Sequence, residues 1–314
     1  MRIIAKTGTD DLATVYIARS EKGELVEFAE SVQPPYPREK KWVLTVSTLF
    51  GCPIGCRFCD AGGGYKGKLS AEEIFSQIDY PVRKYYPDGI VPTEKFKIQF
   101  ARMGEPSLNS NLLDLLEILP ESFDAPGMII SLSTVAPQGT EPFFTRLFEI
   151  KERHYVGKFQ LQFSVHSTDL MTRSWLIPAK TWSLPEMARY GENFRRPEDR
   201  KITLNFAMAR NIPVEPKKLL EHFSPEDFLI KITPVNPTER AMMNHLSSAI
   251  EEDCDDEIVS AFLEVGYETI LSIGERRENL IGSNCGQYIN RLKSEETMVP
   301  GAYESIFEQI AEIT

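Results

Sequence analysis

The chain has 314 residues, of which 42% are hydrophobic, 26% charged and 10% aromatic, a globular composition rich enough to bury a sizeable core. Its 46 Asp and Glu outnumber 35 Lys and Arg, and a net charge of −11 repels a phosphate backbone at long range, disfavouring broad electrostatic binding of nucleic acid. No apolar run approaches the roughly 18 residues that span a bilayer, and Met1-Arg-Ile-Ile-Ala-Lys6 lacks a signal-peptide core, so membrane, secreted and disordered classes are set aside.

In chain order, a short β-like pattern runs from Leu12 to Ile17 and again from Leu25 to Phe28, before a Pro-rich joint at Gln33–Arg38. Val43–Thr48 reads as a strand, and Ser70-Ala-Glu-Glu73 is a capping-box start for a helix to about Lys84. Phe96–Phe100, Met128–Thr134, Phe159–Val165, Lys201–Ala207 and Phe228–Thr233 are further strands with helical sequence between them, the first such helix near Asn111–Ile118. A last helix is expected over about Tyr303–Ile313, and the acidic run Glu251–Glu257 reads as solvated surface. Strands alternating with helices imply parallel βαβ units, and about six of them suggest a partial (β/α)6 barrel with an open side. The expected organisation is a short N-terminal β extension over 1–40, a barrel core over 41–240 and a C-terminal α/β extension over 241–314. In such a barrel the chemistry sits on loops after the C-terminal ends of strands.

The five cysteines are Cys52, Cys56, Cys59, Cys254 and Cys285. An odd number with three inside one short loop is not a disulfide framework; it reads as a thiolate cluster in a reducing cytoplasm. Cys52-Pro-Ile-Gly-Cys56-Arg-Phe-Cys59 has C-x3-C-x2-C spacing directly after a predicted strand. Three thiolates on one tight loop can hold three irons of a [4Fe–4S] cube and leave the fourth open to a small molecule. A structural zinc loop or a four-cysteine electron-transfer cluster would want paired knuckles or a fourth nearby cysteine, and neither is present.

This loop resembles that of the radical S-adenosylmethionine (SAM) superfamily, with Phe58 at its aromatic position between the last two cysteines. Further along, Met103-Gly-Glu-Pro106, Ser131-Leu-Ser-Thr134, Ser164-Val-His166, Asn236-Pro237 and Asn284-Cys-Gly-Gln287 follow in the order of the RlmN/Cfr type of radical SAM methylating enzymes. The resemblance covers about residues 43–290. It implies that Cys52, Cys56 and Cys59 hold a [4Fe–4S] cluster and that Gly104, Glu105, Ser133, Ser164, Val165, His166 and Asn236 contact SAM. It also makes Cys285 a methyl carrier and calls for an electron donor such as a flavodoxin or ferredoxin.

Some of these residues have simpler uses. His166 could be a structural histidine and Asn236 a turn residue before proline. Arg102 and Arg173 could do no more than pair with carboxylates. The tract Gly62–Gly67 lets backbone approach the cluster or SAM, or is a plain flexible loop. Cys285 could be an inert buried thiol.

The chain also departs from the family. Thr45 stands where the family's second, resolving cysteine lies, and Cys254, flanked by acids, is a poor substitute. The family's N-terminal RNA-binding region is not recognisable in the first 40 residues. Its proton-accepting glutamate falls near Glu27 and Glu30 without a choice between them. The resulting expectation is a cytoplasmic radical SAM enzyme that passes a methyl or methylene group through Cys285 to a small molecule or protein rather than to ribosomal RNA. The alternatives are direct hydrogen abstraction by the 5′-deoxyadenosyl radical, RNA adenine C-methylation, and a non-catalytic iron–sulfur protein that binds SAM.

Overall fold

A computed structural model describes residues 1–250, 255–273, 276–283, 288–289 and 308–309. Its strands are β1 (Arg2–Thr9), β2 (Ala13–Arg19), β3 (Leu25–Ser31), β4 (Lys41–Val46), β5 (Leu49–Cys52), β6 (Gly63–Lys68), β7 (Lys95–Phe100), β8 (Met128–Thr134), β9 (Phe159–Ser164), β10 (Ile202–Met208), β11 (Phe228–Pro234), β12 (Thr269–Leu271) and β13 (Glu308–Gln309). The helices are α1 (Ala71–Tyr85), α2 (Asn111–Ser122), α3 (Glu141–His154), α4 (Leu170–Leu176), α5 (Leu184–Phe194), α6 (Pro216–Leu220), α7 (Glu239–Met243), α8 (Asp255–Glu264) and α9 (Arg276–Ile281).

Eleven strands form one sheet in the order β12-β11-β10-β9-β8-β7-β4-β3-β2-β1-β13. From β4 to β12 every neighbouring pair is parallel, while β3, β2, β1 and β13 continue the sheet antiparallel. The fold is therefore mixed α/β around a large parallel sheet. The six βα strands of the expected core are all present, and β12 extends their run by a seventh.

Period-two alternation decides which face each side chain takes. In Lys41-Trp-Val-Leu-Thr-Val46 and Lys95-Phe-Lys-Ile-Gln-Phe100 the even-numbered residues are fully buried and the odd-numbered ones are less so. The even set packs into the apolar core with Ile74, Ile78 and Val82 of α1 and the leucines of α2. Each such large side chain contributes about 1.5–3 kcal/mol by leaving water. The odd set, Lys41, Val43, Thr45, Lys95, Lys97 and Gln99, lines a cavity on the other face.

Helix α1 begins as expected, with the Ser70 and Glu73 side chains each bonded to the other's backbone N–H. Other expectations need correction. β1 was not foreseen and forms the outer partner of β2. The Gly62–Gly67 tract is no loop: Gly63–Lys68 pairs antiparallel with β5. That hairpin needs glycine at Gly51, whose φ is +76° and whose added Cβ would lie 2.5 Å from the Gly64 carbonyl oxygen. Most of the expected helix over Tyr303–Ile313 lies outside the described residues, and the two described within it, Glu308 and Gln309, pair as a strand with Lys6 and Ala5 instead. An open strand edge offers backbone partners that outweigh a weak helical pattern. Cys254, most of the acidic run and Cys285 lie outside the described residues. Among the described residues no helix is long and apolar enough to cross a membrane.

Candidate active site

The cavity has a volume of about 470 Å³ and its wall runs from β3 across the parallel strands to Ser272, just after β12. Cys52, at the end of β5, lines it together with Cys56 and Cys59 from the following loop, and all three are half-buried and outside any disulfide. An apolar cluster that includes Ile54, Leu176, Ile177 and Val235 packs beneath this loop. α4 and α7 brace it: Arg57 donates to the Trp175 carbonyl (3.0 Å), and Asn244 donates to that of Arg57 (3.0 Å). Arg240 donates to the carbonyls of Gly62 (2.9 Å) and Gly55 (3.2 Å), while Asp60 accepts from the backbone N–H groups of Glu239 and Arg240. Asp60 and Arg240 tie the cysteine loop to the segment after β11. No motif marks them, because their sequence separation hides the pairing.

Burial pushes the Cys52 thiol up to about 11 and that of Cys56 well above the ordinary range, the neighbouring thiols adding to the latter. Buried thiols raised in this way favour the thiolate when a cation beside them supplies the missing charge. Among the described residues no three His, Cys, Asp or Glu side chains converge as ligands of one ion. A four-iron cube takes one thiolate per iron, so its ligands stand further apart than those of a single ion. The three thiols, half-buried around one opening, fit that group.

Next to the thiols lies Glu105, buried and on the cavity wall. Its Oε1 accepts from the Ser107 N–H (3.1 Å), the Ser107 hydroxyl (2.8 Å) and the Thr134 hydroxyl, and Oε2 accepts from the Val135 N–H (2.9 Å). Burial raises its pKa against these bonds. One acceptor direction on Oε2 remains for an incoming donor. Gly104 is required by the fold itself: its φ is +97°, and an added Cβ would sit 2.5 Å from Leu49 Cβ on β5. The close approach expected at this glycine is thus to the chain's own hairpin.

His166 also lines the cavity, packed edge-on against Phe58 with ring centroids 4.7 Å apart. Its Nδ1 accepts from the Ala207 N–H (3.0 Å), which leaves the proton on Nε2. Burial, and then Arg173, holds its pKa down to about 3, so the ring is neutral at physiological pH. Ser133, Ser164 and Asn236 line the cavity too, with Ser133 accepting from Gln162 (3.2 Å). Val165 differs: its side chain is fully buried in the apolar core and takes no part in the wall. Arg173 donates to the Thr181 hydroxyl and the Trp182 carbonyl (3.4 Å) rather than to a carboxylate.

Arg102 does find a carboxylate. Its Nη2 lies 2.8 Å from Glu27 Oε1, both side chains being almost wholly excluded from solvent. The same guanidinium donates to the carbonyls of Ser283 (2.7 Å) and Gly282 (2.9 Å), and Glu27 Oε2 accepts from the Tyr288 N–H (2.7 Å). This one ion pair thus grips the chain on both sides of 284–287. Of the two N-terminal glutamates, Glu27 shares its strand face with the cavity-lining Ala29 and Ser31, whereas Glu30 points the other way to Tyr16, Trp42 and Tyr85. Thr45 faces the cavity, presenting a hydroxyl where the family carries a thiol.

No family model matches the chain. A protein named "probable dual-specificity RNA methyltransferase RlmN" from Chlorobium phaeobacteroides is 30% identical over 260 residues, covering 80% of this chain and 68% of that protein. The dual-specificity RNA methyltransferase RlmN of Helicobacter hepaticus is 28% identical over 282 residues, covering 87% of this chain and 69% of its own length. A radical SAM methyltransferase from Sphaerobacter thermophilus has a crystal structure that matches with a TM-score of 0.71 at 20% identity, over 91% of this chain and 81% of that one. The chain belongs to the RlmN/Cfr-like family of radical SAM methyltransferases, enzymes that use a [4Fe–4S] cluster and S-adenosylmethionine.

Proposed function

We propose that this chain cleaves SAM reductively in the cavity and passes a methyl or methylene group through Cys285 to a substrate other than ribosomal RNA. The observation that carries this reading is the gathering of Cys52, Cys56, Cys59, Glu105 and His166 on one cavity wall, with Ser283 on the same wall two residues before Cys285. Cys52, Cys56 and Cys59 would hold the cluster, and Gly104, Glu105, Ser133, Ser164, His166 and Asn236 would meet SAM. Val165 would do so through its backbone alone. When bound, the cluster supplies an electron that splits the SAM sulfonium into methionine and a 5′-deoxyadenosyl radical.

The protein's own groups then have definite tasks. Glu105, buried and with one acceptor direction open, suits a ligand ammonium, which also neutralises its charge. Neutral His166 offers a single donor at Nε2 and excludes water together with Phe58. Arg102 and Glu27 hold the segments flanking Cys285. The curvature that brings β3 through β12 around one cavity supports a partial barrel over 41–240, with 1–40 and 241–314 as its extensions. Cysteines outside any disulfide in this loop suit a reducing cytoplasm, where a flavodoxin or ferredoxin would deliver the electron.

The net charge of −11 and the hydroxyl of Thr45 in place of a resolving thiol support a substrate other than ribosomal RNA. A second reading, RNA adenine methylation, is favoured by the names of the relatives and would require an external thiol to release product. The test is anaerobic reconstitution of wild type and Cys56→Ala, with iron content, visible absorption and SAM cleavage under dithionite measured on each. Four irons and 5′-deoxyadenosine in the wild type, with both lost in the variant, are expected. A wild type that binds SAM yet never cleaves it would overturn the enzymatic reading in favour of a non-catalytic one.

A further inference from the structure

The two ends of the cavity differ in character. Cysteines, Glu105 and His166 follow the C-terminal ends of the strands, whereas Lys41, Lys95 and Lys97 project into the N-terminal half. Lys41 and Lys95 open β4 and β7 and stand opposite each other in register, with Lys97 one side-chain repeat further along the same face. Lys231 comes from β11 on another part of the wall, in register with Asn205. Among the described residues two carboxylates line the cavity, Glu105 at the thiol end and Glu278, whose oxygens accept from Ser31 (3.2 Å) and Ser283 (3.0 Å). Among the described residues, Lys41, Lys95 and Lys97 thus gather on one wall with Glu278 as the carboxylate away from the thiol end, which makes this half of the chamber positive inside a chain of net charge −11.

Like charges are expensive to collect in a partly buried space unless something anionic balances them. Among the described residues no carboxylate pairs with Lys97. Burial, and then Lys231, Lys95, Arg200 and Lys41, pushes its amine down to about 7. Burial and Lys95 also lower Lys41. On the same wall the buried Asn205 Oδ1 has no donor within reach, an acceptor left for a ligand hydroxyl or amine.

We propose that the lysine-lined half of the cavity binds the phosphate group of a small phosphorylated substrate, whose other end then reaches the thiol end where the chemistry occurs. Strands rise about 3.3 Å per residue, so the four or five residues between the two ends correspond to roughly 13–17 Å. That is the reach of a molecule carrying a phosphate at one end and a reacting carbon at the other. A nucleic-acid strand is held by cations that track its backbone along an outer face. Here the cations converge inward.

The proposal rests on the cavity being the reaction chamber, so SAM cleavage is measured on the same preparation. Reconstituted holoenzyme with SAM is titrated calorimetrically with inorganic pyrophosphate, alongside Lys97→Gln and Lys22→Gln, the latter removing an equal charge from an exposed position. Saturable binding to the wild type, weakened about tenfold or more in Lys97→Gln and unchanged in Lys22→Gln, is expected, because charge-assisted hydrogen bonds are the strong ones. Lys97→Gln relieves repulsion, so a fold maintained or strengthened accompanies the loss. Absence of pyrophosphate binding in a preparation that cleaves SAM overturns the phosphate site and leaves the enzymatic reading standing. Equal affinity in both variants overturns it too. An RNA oligomer that displaces pyrophosphate with higher affinity and steep salt dependence would overturn the small-molecule assignment.

Discussion

Replacing Arg102 by Met tests the grip on the Cys285 segment and carries a pH signature. The substitution keeps most of the side-chain volume but leaves Glu27 without its cation and the carbonyls of Gly282 and Ser283 without their donors. Breaking a buried pair from one side costs about 3–5 kcal/mol, because the remaining charge stays out of water. Burial then pushes the Glu27 carboxyl above its unfolded value with no opposing guanidinium. The folded variant therefore retains a proton that the unfolded chain releases. A group whose folded pKa is raised contributes stability below its unfolded pKa and loses it as pH rises. Stability of the variant should accordingly fall from about pH 4.5 upward, by as much as roughly 1.4 kcal/mol per pH unit until Glu27 ionises. Urea unfolding followed by tryptophan fluorescence at pH 5 and pH 8 measures this, and hydrogen exchange of the Tyr288 amide reports the local grip. Expected are a larger deficit at pH 8 than at pH 5 and faster exchange at Tyr288. A deficit below about 1 kcal/mol, independent of pH, would refute the clamp, since both its charge pairing and its burial would then be without consequence.

Other perturbations follow from single contacts. Gly104→Ala should cost about 3 kcal/mol or more in urea unfolding, from strain at φ +97° and collision with the Cβ and backbone of Leu49; a loss below about 1 kcal/mol would contradict that close approach. His166 should be neutral and protonated on Nε2 in NMR spectra down to about pH 4, because its pKa is held near 3; the folded state then gains stability as pH rises from about 3 to 6.5, and a ring that titrates near 6.5 would contradict its burial. Thr45→Cys places a thiol on the cavity wall, and mild oxidation should join it to Cys285 in peptide mass spectra; failure to cross-link in folded protein would remove Cys285 from that wall.

Much of this architecture was legible in the chain. Met128–Thr134 is a strand at the expected bounds, and the Ser70 capping box starts α1 where the pattern put it. Long parallel strands announce themselves because one face is uniformly apolar. The short, glycine-rich β5 and β6 do not, since their pairing depends on close backbone approach rather than on side-chain pattern. The cysteine loop and Met103–Pro106 were visible as motifs because sequence neighbours make them. The lysine-lined chamber was not, although its trace lies in the alternation of Lys41, Val43 and Thr45 with Lys95, Lys97 and Gln99; seeing it requires knowing that β4 and β7 are neighbours in one register. The Glu27–Arg102 pair was hidden for the same reason, its partners standing 75 residues apart.

Methyl transfer through Cys285 is the claim on which the functional reading turns, and its most direct measurement is peptide mass spectrometry after anaerobic incubation of the reconstituted enzyme with SAM and dithionite. Expected is a gain of one methyl group on the Cys285 peptide together with release of S-adenosylhomocysteine. An unmodified Cys285 beside abundant 5′-deoxyadenosine would contradict the methyl-carrier role and assign the radical directly to substrate.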